Sequence, residues 1–222
     1  ITSKLKIVAV DPGVFTATLS RKLITPTQKK EKNRILAVVG SVNPNTKAQM
    51  EELWLSQRIH NVFVKTRELL ESEEQRSAEI QRVIHEILEV SHLNTVSTVT
   101  GDGIYPENRI DFQPYMERYH CSMDDVTDKI NSAFAEIAYG IFQAQPEYKG
   151  LYTSGGDVTV AVCKRFQTAG LSLSDEVLPL AAYGQFLTGP FAGIHIITKG
   201  GSQGERDAIN RCITYLKEKL YI

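Results

Sequence analysis

Two patterns of apolar residues alternate along this chain. Short runs rich in β-branched residues recur at 6–10 (KIVAV), 35–39, 61–65, 94–100, 150–153 and 193–198, and predict buried strands. Between them lie stretches with an apolar position every three or four residues, predicting helices at 15–22, 46–57, 73–90, 123–143, 158–167 and 205–220. In the helix at 73–90 the stripe is Ile80, Val83, Ile84, Ile87 and Leu88. In the helix at 123–143 it is Val126, Ile130, Phe134, Ile137 and Ile141, and both stripes read as core. Residues 171–187 are β-like, 11–13 (DPG) and 189–190 are turns, and 25–34 is a polar, basic linker.

Strands alternating with helices predict an α/β fold: a mostly parallel sheet flanked by helices on both faces, with ligand loops at the strand C-terminal ends. The 222 residues are long enough for a sizeable core, with 42% hydrophobic residues. A net charge of −1 removes the general electrostatic case for nucleic acid or an anionic membrane as partner. No apolar run approaches the ~20 residues that span a bilayer. Cys121, Cys163 and Cys212 form no CxxC pair, so neither a disulfide framework nor a zinc site is expected, and a cytoplasmic setting is. The five histidines have no paired ligand spacing, no metal site of protein ligands is expected, and no nucleophilic triad can be assembled.

Three segments combine a strand end, small residues and a helix start: Gly40-Ser41, Ser154-Gly155-Gly156-Asp157, and Lys199-Gly200-Gly201-Ser202-Gln203-Gly204. Glycines there let phosphate oxygens reach backbone amides without meeting a Cβ. The first amides of a following helix lack partners within it, and the helix dipole adds partial positive charge. One such loop could be only a turn; three in the same relation to the sheet point to a phosphate site, with Lys199 adding a cation. The pattern is neither GxxxxGK[ST] nor GxGxxG, which disfavours a P-loop and a dinucleotide oxidoreductase. Asp157 has two compatible readings, an N-cap for the next helix and a partner for Mg2+ beside phosphates. Asp102, in Thr100-Gly101-Asp102-Gly103, reads first as a turn, and Asp124-Asp125 as a helix start.

At these loops the chain resembles the four-carbon acid sugar kinases, a family with an N-terminal substrate domain and a C-terminal nucleotide-binding domain. The matching segments run in family order over nearly the whole chain. They are Val10-Asp11-Pro12-Gly13-Val14-Phe15-Thr16, then Val38-Val39-Gly40-Ser41-Val42-Asn43-Pro44 with Thr46 and Gln49, then Thr153-Ser154-Gly155-Gly156-Asp157-Val158. Gly189-Pro190-Phe191-Ala192-Gly193 and Thr198-Lys199-Gly200-Gly201-Ser202-Gln203-Gly204 complete the series.

The resemblance implies an ATP- and Mg2+-dependent kinase for threonate, erythronate or an oxo-tetronate. ATP would be contacted by Ser41, by Gly155, Gly156, Asp157 and Val158, and by Gly200 and Gly201; Ser154 and Gly204 complete the candidate loops. It also implies that residues 1–33 are the tail of a substrate domain with its linker, and 34–222 the nucleotide-binding domain. A homodimer is a further expectation. The family's acidic Asp-Asp, Thr-Gly substrate motif is absent; Asp124-Asp125-Val126-Thr127 lacks the glycine. The chain therefore reads as a C-terminal half that binds ATP without turnover, its catalytic residues unidentified and its base expected in the other half. The alternative is a non-catalytic module binding a nucleotide or phosphometabolite.

Overall fold

The computed structural model describes residues 33–221 together with Thr18. The expectations for residues 6–10 and 11–13, for most of 15–22 and for most of 25–34 fall outside them. Seven strands are present among the described residues: β1 (Arg34–Val39), β2 (His60–Val64), β3 (Val96–Gly101), β4 (Tyr148–Ser154), β5 (Leu171–Leu178), β6 (Ala181–Phe186) and β7 (His195–Lys199). The α-helices are α1 (Pro44–Ser56), α2 (Thr66–Glu71), α3 (Glu73–Val90), α4 (Gln113–Tyr119), α5 (Met123–Ala144), α6 (Gly156–Arg165) and α7 (Ala208–Lys219).

The strands form one sheet in the order β2-β3-β1-β4-β7-β6-β5. The first five are mutually parallel, and β6 and β5 add an antiparallel margin. The β-like stretch 171–187 is thus a hairpin, turning at Pro179-Leu180, with Leu180 at a φ of 62°. Its outer strand β5 is largely exposed and carries Asp175 and Glu176, charges that discourage pairing with another edge.

Strand residues alternate between two cores, as a period of two requires. Leu36, Val38, Val62, Val99, Leu151 and Ile196 pack against α3, α5 and α6 on one face. Ile35, Ala37, Val39, Val96, Tyr152 and Ile197 pack against α1 and α7 on the other. Ser72 caps α3 by accepting from Gln75 N at 3.1 Å. Ser122 and Asp125 form a reciprocal capping box on α5, as the Asp-Asp start predicted.

His195, expected within its strand, opens β7. Its Nδ1 lies 2.6 Å from the Tyr183 hydroxyl, and Nε2 is 3.3 Å from Gln185 Nε2. Burial, and secondarily Lys219, lower its pKa from 6.5. The unfolded chain therefore takes up this proton at a higher pH than the folded one. The stabilisation is complete above about pH 6.5 and is lost as pH falls through the lower folded value. Urea midpoints should fall between pH 7 and 5, and His195→Gln should flatten that slope; an unchanged slope in the variant would contradict the assignment.

Candidate functional site

The route of the chain off each strand end creates crevices. After β1 it passes to the face of α1 and α7, and so does the chain after β7; after β3 and β4 it passes to the opposite face. The carboxyl end of β1 is therefore flanked on both sides by strands whose connections diverge from its own, and ligands of open α/β sheets collect at such points.

The three predicted loops meet there. A Cβ on Gly40 would collide with the buried Val158 Cγ2 of α6. A Cβ on Gly201 would lie 2.5 Å from Ser41 Oγ and 2.8 Å from Ser41 Cβ. Gly155 N donates to Lys199 O at 3.0 Å, joining the β4 and β7 ends. By contrast, a Cβ on Gly155 or Gly156 would meet nothing within 4 Å, so these two border open space. Ser41 Oγ is 2.9 Å from Thr46 Oγ1, and Asn43 N donates to it at 3.3 Å.

The loop after β7 is held by its carbonyls. Gln49 Nε2 reaches Gln203 O, Gly204 O and Glu205 O at 2.9, 2.9 and 3.0 Å. Asn45 Nδ2 donates to Ser202 O at 3.1 Å and Gly204 O at 3.0 Å, and Thr46 Oγ1 donates to Gly201 O. With the carbonyls drawn towards α1, the amides of Gly201, Ser202 and Gly204 have no acceptor among the described residues. These anchors also explain why the closing helix begins at Ala208 rather than at the expected 205: the residues 203–205 are committed to α1 through their carbonyls.

Lys199 was expected to present its charge to the ligand, and the structure places it otherwise. It is only 2% exposed, and Nζ donates to Gly200 O at 2.8 Å and Gln203 O at 2.7 Å, fastening the loop. Burial lowers its pKa. An anion in this crevice is consequently met by backbone amides rather than by a lysine or arginine of the three loops. Ser154 also turns inward: it is fully buried, and its Oγ and the Tyr152 hydroxyl find no partner of normal geometry.

The helix α6 begins two residues earlier than its apolar pattern suggested. Its N-cap is Gly155, at a φ of 113° that a residue with a Cβ rarely adopts. Asp157 is thus not the cap but sits exposed inside the first turn, with no side-chain hydrogen bond. Thr159 N is the first helical amide to bond, to Gly155 O, leaving the amides of Gly156, Asp157 and Val158 free at the positive end of the dipole. Asp157 offers one unengaged carboxylate beside those amides, which fits the way Mg2+ joins one or two carboxylates to phosphates. Among the described residues no group of three or more His, Cys, Asp or Glu could hold a metal by itself.

Other candidates lie elsewhere or serve structure. Asp102 opens a short 3-10 turn, Asp102–Ile104, and accepts from Thr66 N at 3.1 Å and Thr66 Oγ1 at 2.6 Å. Cys212 is fully buried, and that burial pushes its thiol up to about 12, far from a working thiolate. Among the described residues no helix is long and apolar enough to cross a membrane.

Comparison with known proteins identifies the family of this chain. Residues 36–209 match the model of the family described as nucleotide-binding C-terminal domain. The chain is 36% identical to the D-erythronate kinase of Heliobacterium modesticaldum over 224 aligned positions, covering 98% of this chain and 49% of that one. It is 22% identical to the D-threonate kinase of Salmonella typhimurium, covering 86% of this chain and 44% of that one. The chain thus spans about half the length of these relatives. Among solved structures, a domain of unknown function from Bordetella bronchiseptica, a domain-swapped dimer with bound citrate, superposes with a TM-score of 0.67. That pair shares 22% identity over 84% of this chain and 41% of the other, a likeness of fold.

Proposed function

Because this chain belongs to the nucleotide-binding C-terminal domains of the four-carbon acid sugar kinases, we propose that it supplies the ATP site of a kinase acting on D-erythronate or a related sugar acid. The observation that carries the reading is the convergence of three loops, with unpaired amides at the head of α6 and in the loop after β7, whose carbonyls are fastened to α1 and Lys199. In this reading the amides of Gly156, Asp157 and Val158 hold one phosphate group at the head of α6. Gly200, Gly201 and Gly204 shape the facing wall, and Ser41 lies between the two with its hydroxyl against Thr46. Ser154 contributes through its backbone position at the end of β4.

Phosphoryl transfer depends mainly on placing the reactants and stabilising spread negative charge. Fixed amides do this without reorganising, since the Asn45, Thr46, Gln49 and Lys199 contacts set them in advance. Mg2+, held by Asp157 and the phosphates, would supply the neutralising charge that the loops lack.

The substrate-binding groups and the base that accepts the hydroxyl proton belong, in this reading, to the other half of the enzyme. We assign residues 1–33 to the end of that substrate domain and its linker, and 34–222 to the nucleotide domain. A homodimer and a cytoplasmic location are part of the same reading. This polypeptide incubated with ATP, Mg2+ and D-erythronate or D-threonate should bind the nucleotide but release no ADP above background. Sustained ADP release would place the catalytic base within these residues and overturn the division of labour.

A further inference from the structure

Next to the phosphate crevice, the carboxyl ends of β1 and β3 border a cavity of about 230 Å³, which suits a single ring system and lies below the ~300–1,000 Å³ of pockets for whole drug-sized ligands. We propose that this cavity takes the base of the nucleotide, an adenine recognised through the side-chain amide of Asn131. The inference rests on the nucleotide reading above and extends it to the part of the ligand that the glycine loops do not touch.

The floor of the cavity is glycine: Gly40, Gly101 and Gly103. A Cβ on Gly101 would stand 3.4 Å from Phe134 Cζ, and one on Gly103 would stand 3.4 Å from Val42 Cγ1. Side chains there would fill the space a flat ring needs. Val42, Ile110, Phe112, Ile130 and Phe134 provide apolar walls suited to a flat heterocycle, and of the polar residues in the lining Thr66, Arg109 and Thr127 already bond to protein groups.

Asn108, also in the lining, donates Nδ2 to Asp102 O at 3.4 Å, whereas Asn131 has its whole carboxamide available. It lines the cavity from α5, is half-buried, and its side chain makes no hydrogen bond among the described residues. Its Oδ1 lies 3.8 Å from where a Cβ on Gly40 would sit, which puts the amide over the end of β1. A carboxamide presents one acceptor and a pair of donors, the complement of adenine's amino group and adjacent ring nitrogen. Arg109 is committed to closing the cavity wall: Nε donates to Gly103 O at 3.0 Å and Nη2 to Val42 O at 2.7 Å.

Position completes the argument. Gly40 contributes to the cavity floor, and Ser41, the next residue, belongs to the phosphate crevice. Gly40 also packs between Asn131 and Val158, the third residue of α6. A nucleotide lying across Gly40 and Ser41 would place phosphates at α6 and its base between β1 and β3.

Calorimetric titration of the full chain with ATP and, separately, inorganic tripolyphosphate tests this. Asn131→Ala removes a side chain without a partner, so the melting temperature should hold. ATP should weaken roughly tenfold, with tripolyphosphate affinity unchanged. Gly201→Asp should weaken both ligands. Photolabelling of the unmodified chain with 8-azido-ATP gives a readout that needs no variant, and should mark peptides within residues 101–134. Undiminished ATP affinity in Asn131→Ala, or labelling confined to 181–199, would overturn the base pocket while leaving the phosphate site standing. Failure of the unmodified chain to bind either ligand would overturn the nucleotide reading itself.

Discussion

Gly201→Asp should lower ATP affinity by on the order of 100-fold while the chain still folds. Two effects act together. A Cβ at this position meets Ser41 Oγ at 2.5 Å and Ser41 Cβ at 2.8 Å, so any side chain displaces the residue between the two phosphate-facing walls. The carboxylate then brings negative charge to three loops that offer no free lysine or arginine to offset it, because Lys199 is turned beneath the loop after β7. Two unit charges about 4 Å apart repel by ~1 kcal/mol in water and ~4 kcal/mol near a protein surface, a factor of roughly 5 to 1,000 in affinity. Gly201→Ala keeps the steric part alone and should fall between wild type and Asp. Equal ATP affinity in all three proteins, measured by calorimetry, would remove this loop from the binding site.

Gly204→Val should act differently, through stability first. Gly204 has a φ of 87°, and a Cβ there would approach Ala208 Cβ to 2.6 Å, on the helix side rather than the crevice side. Left-handed strain costs ~1–2 kcal/mol for a residue with a side chain, and overpacking commonly adds ~1–3 kcal/mol. A loss of about 3 kcal/mol is expected from urea denaturation. Because Gly204 O is held by Asn45 and Gln49, moving it also disturbs the fastened carbonyls, so ATP affinity should decline with it. A variant as stable as the parent would mean that the loop can adopt another path without cost.

Helices with a long apolar stripe and a recognisable cap are legible in the sequence almost to the residue. The boundaries of α3 were expected at 73–90 and are found there, and α5 extends one residue past its expected end. The short α2 and α4 were not foreseen. Six and seven residues give little periodicity, and α4 buries none of its own. The hairpin of β5 and β6 was visible only as β-like sequence, since antiparallel pairing is decided by neighbours rather than by composition.

For the site, the glycines were legible because Gly40 and Gly201 stand where a side chain cannot fit and Gly155 and Gly204 where the backbone takes a positive φ. The direction of side chains was not. Lys199 is a cation in the sequence and a buried fastener in the fold; Asp157 follows a glycine pair and yet lies inside the helix it was expected to cap. Asn131 gave no signal at all, since an asparagine on a helix acquires meaning only when the end of β1 is set beside it.

Most depends on whether the unpaired amides at the head of α6 and in the loop after β7, joined by Gly40-Ser41, bind the phosphates of ATP. The most direct measurement is the melting temperature of this polypeptide with increasing ATP and Mg2+, beside Gly201→Asp. At 100 times the dissociation constant a ligand that binds only the folded state contributes about 2.7 kcal/mol, a rise of roughly 5–10 °C for a domain of this size. That rise is expected in the parent chain, and at the same ATP concentration only about 1–2 °C in the variant. The same rise in both proteins would contradict phosphate binding by these amides, as would no rise in the parent at millimolar ATP.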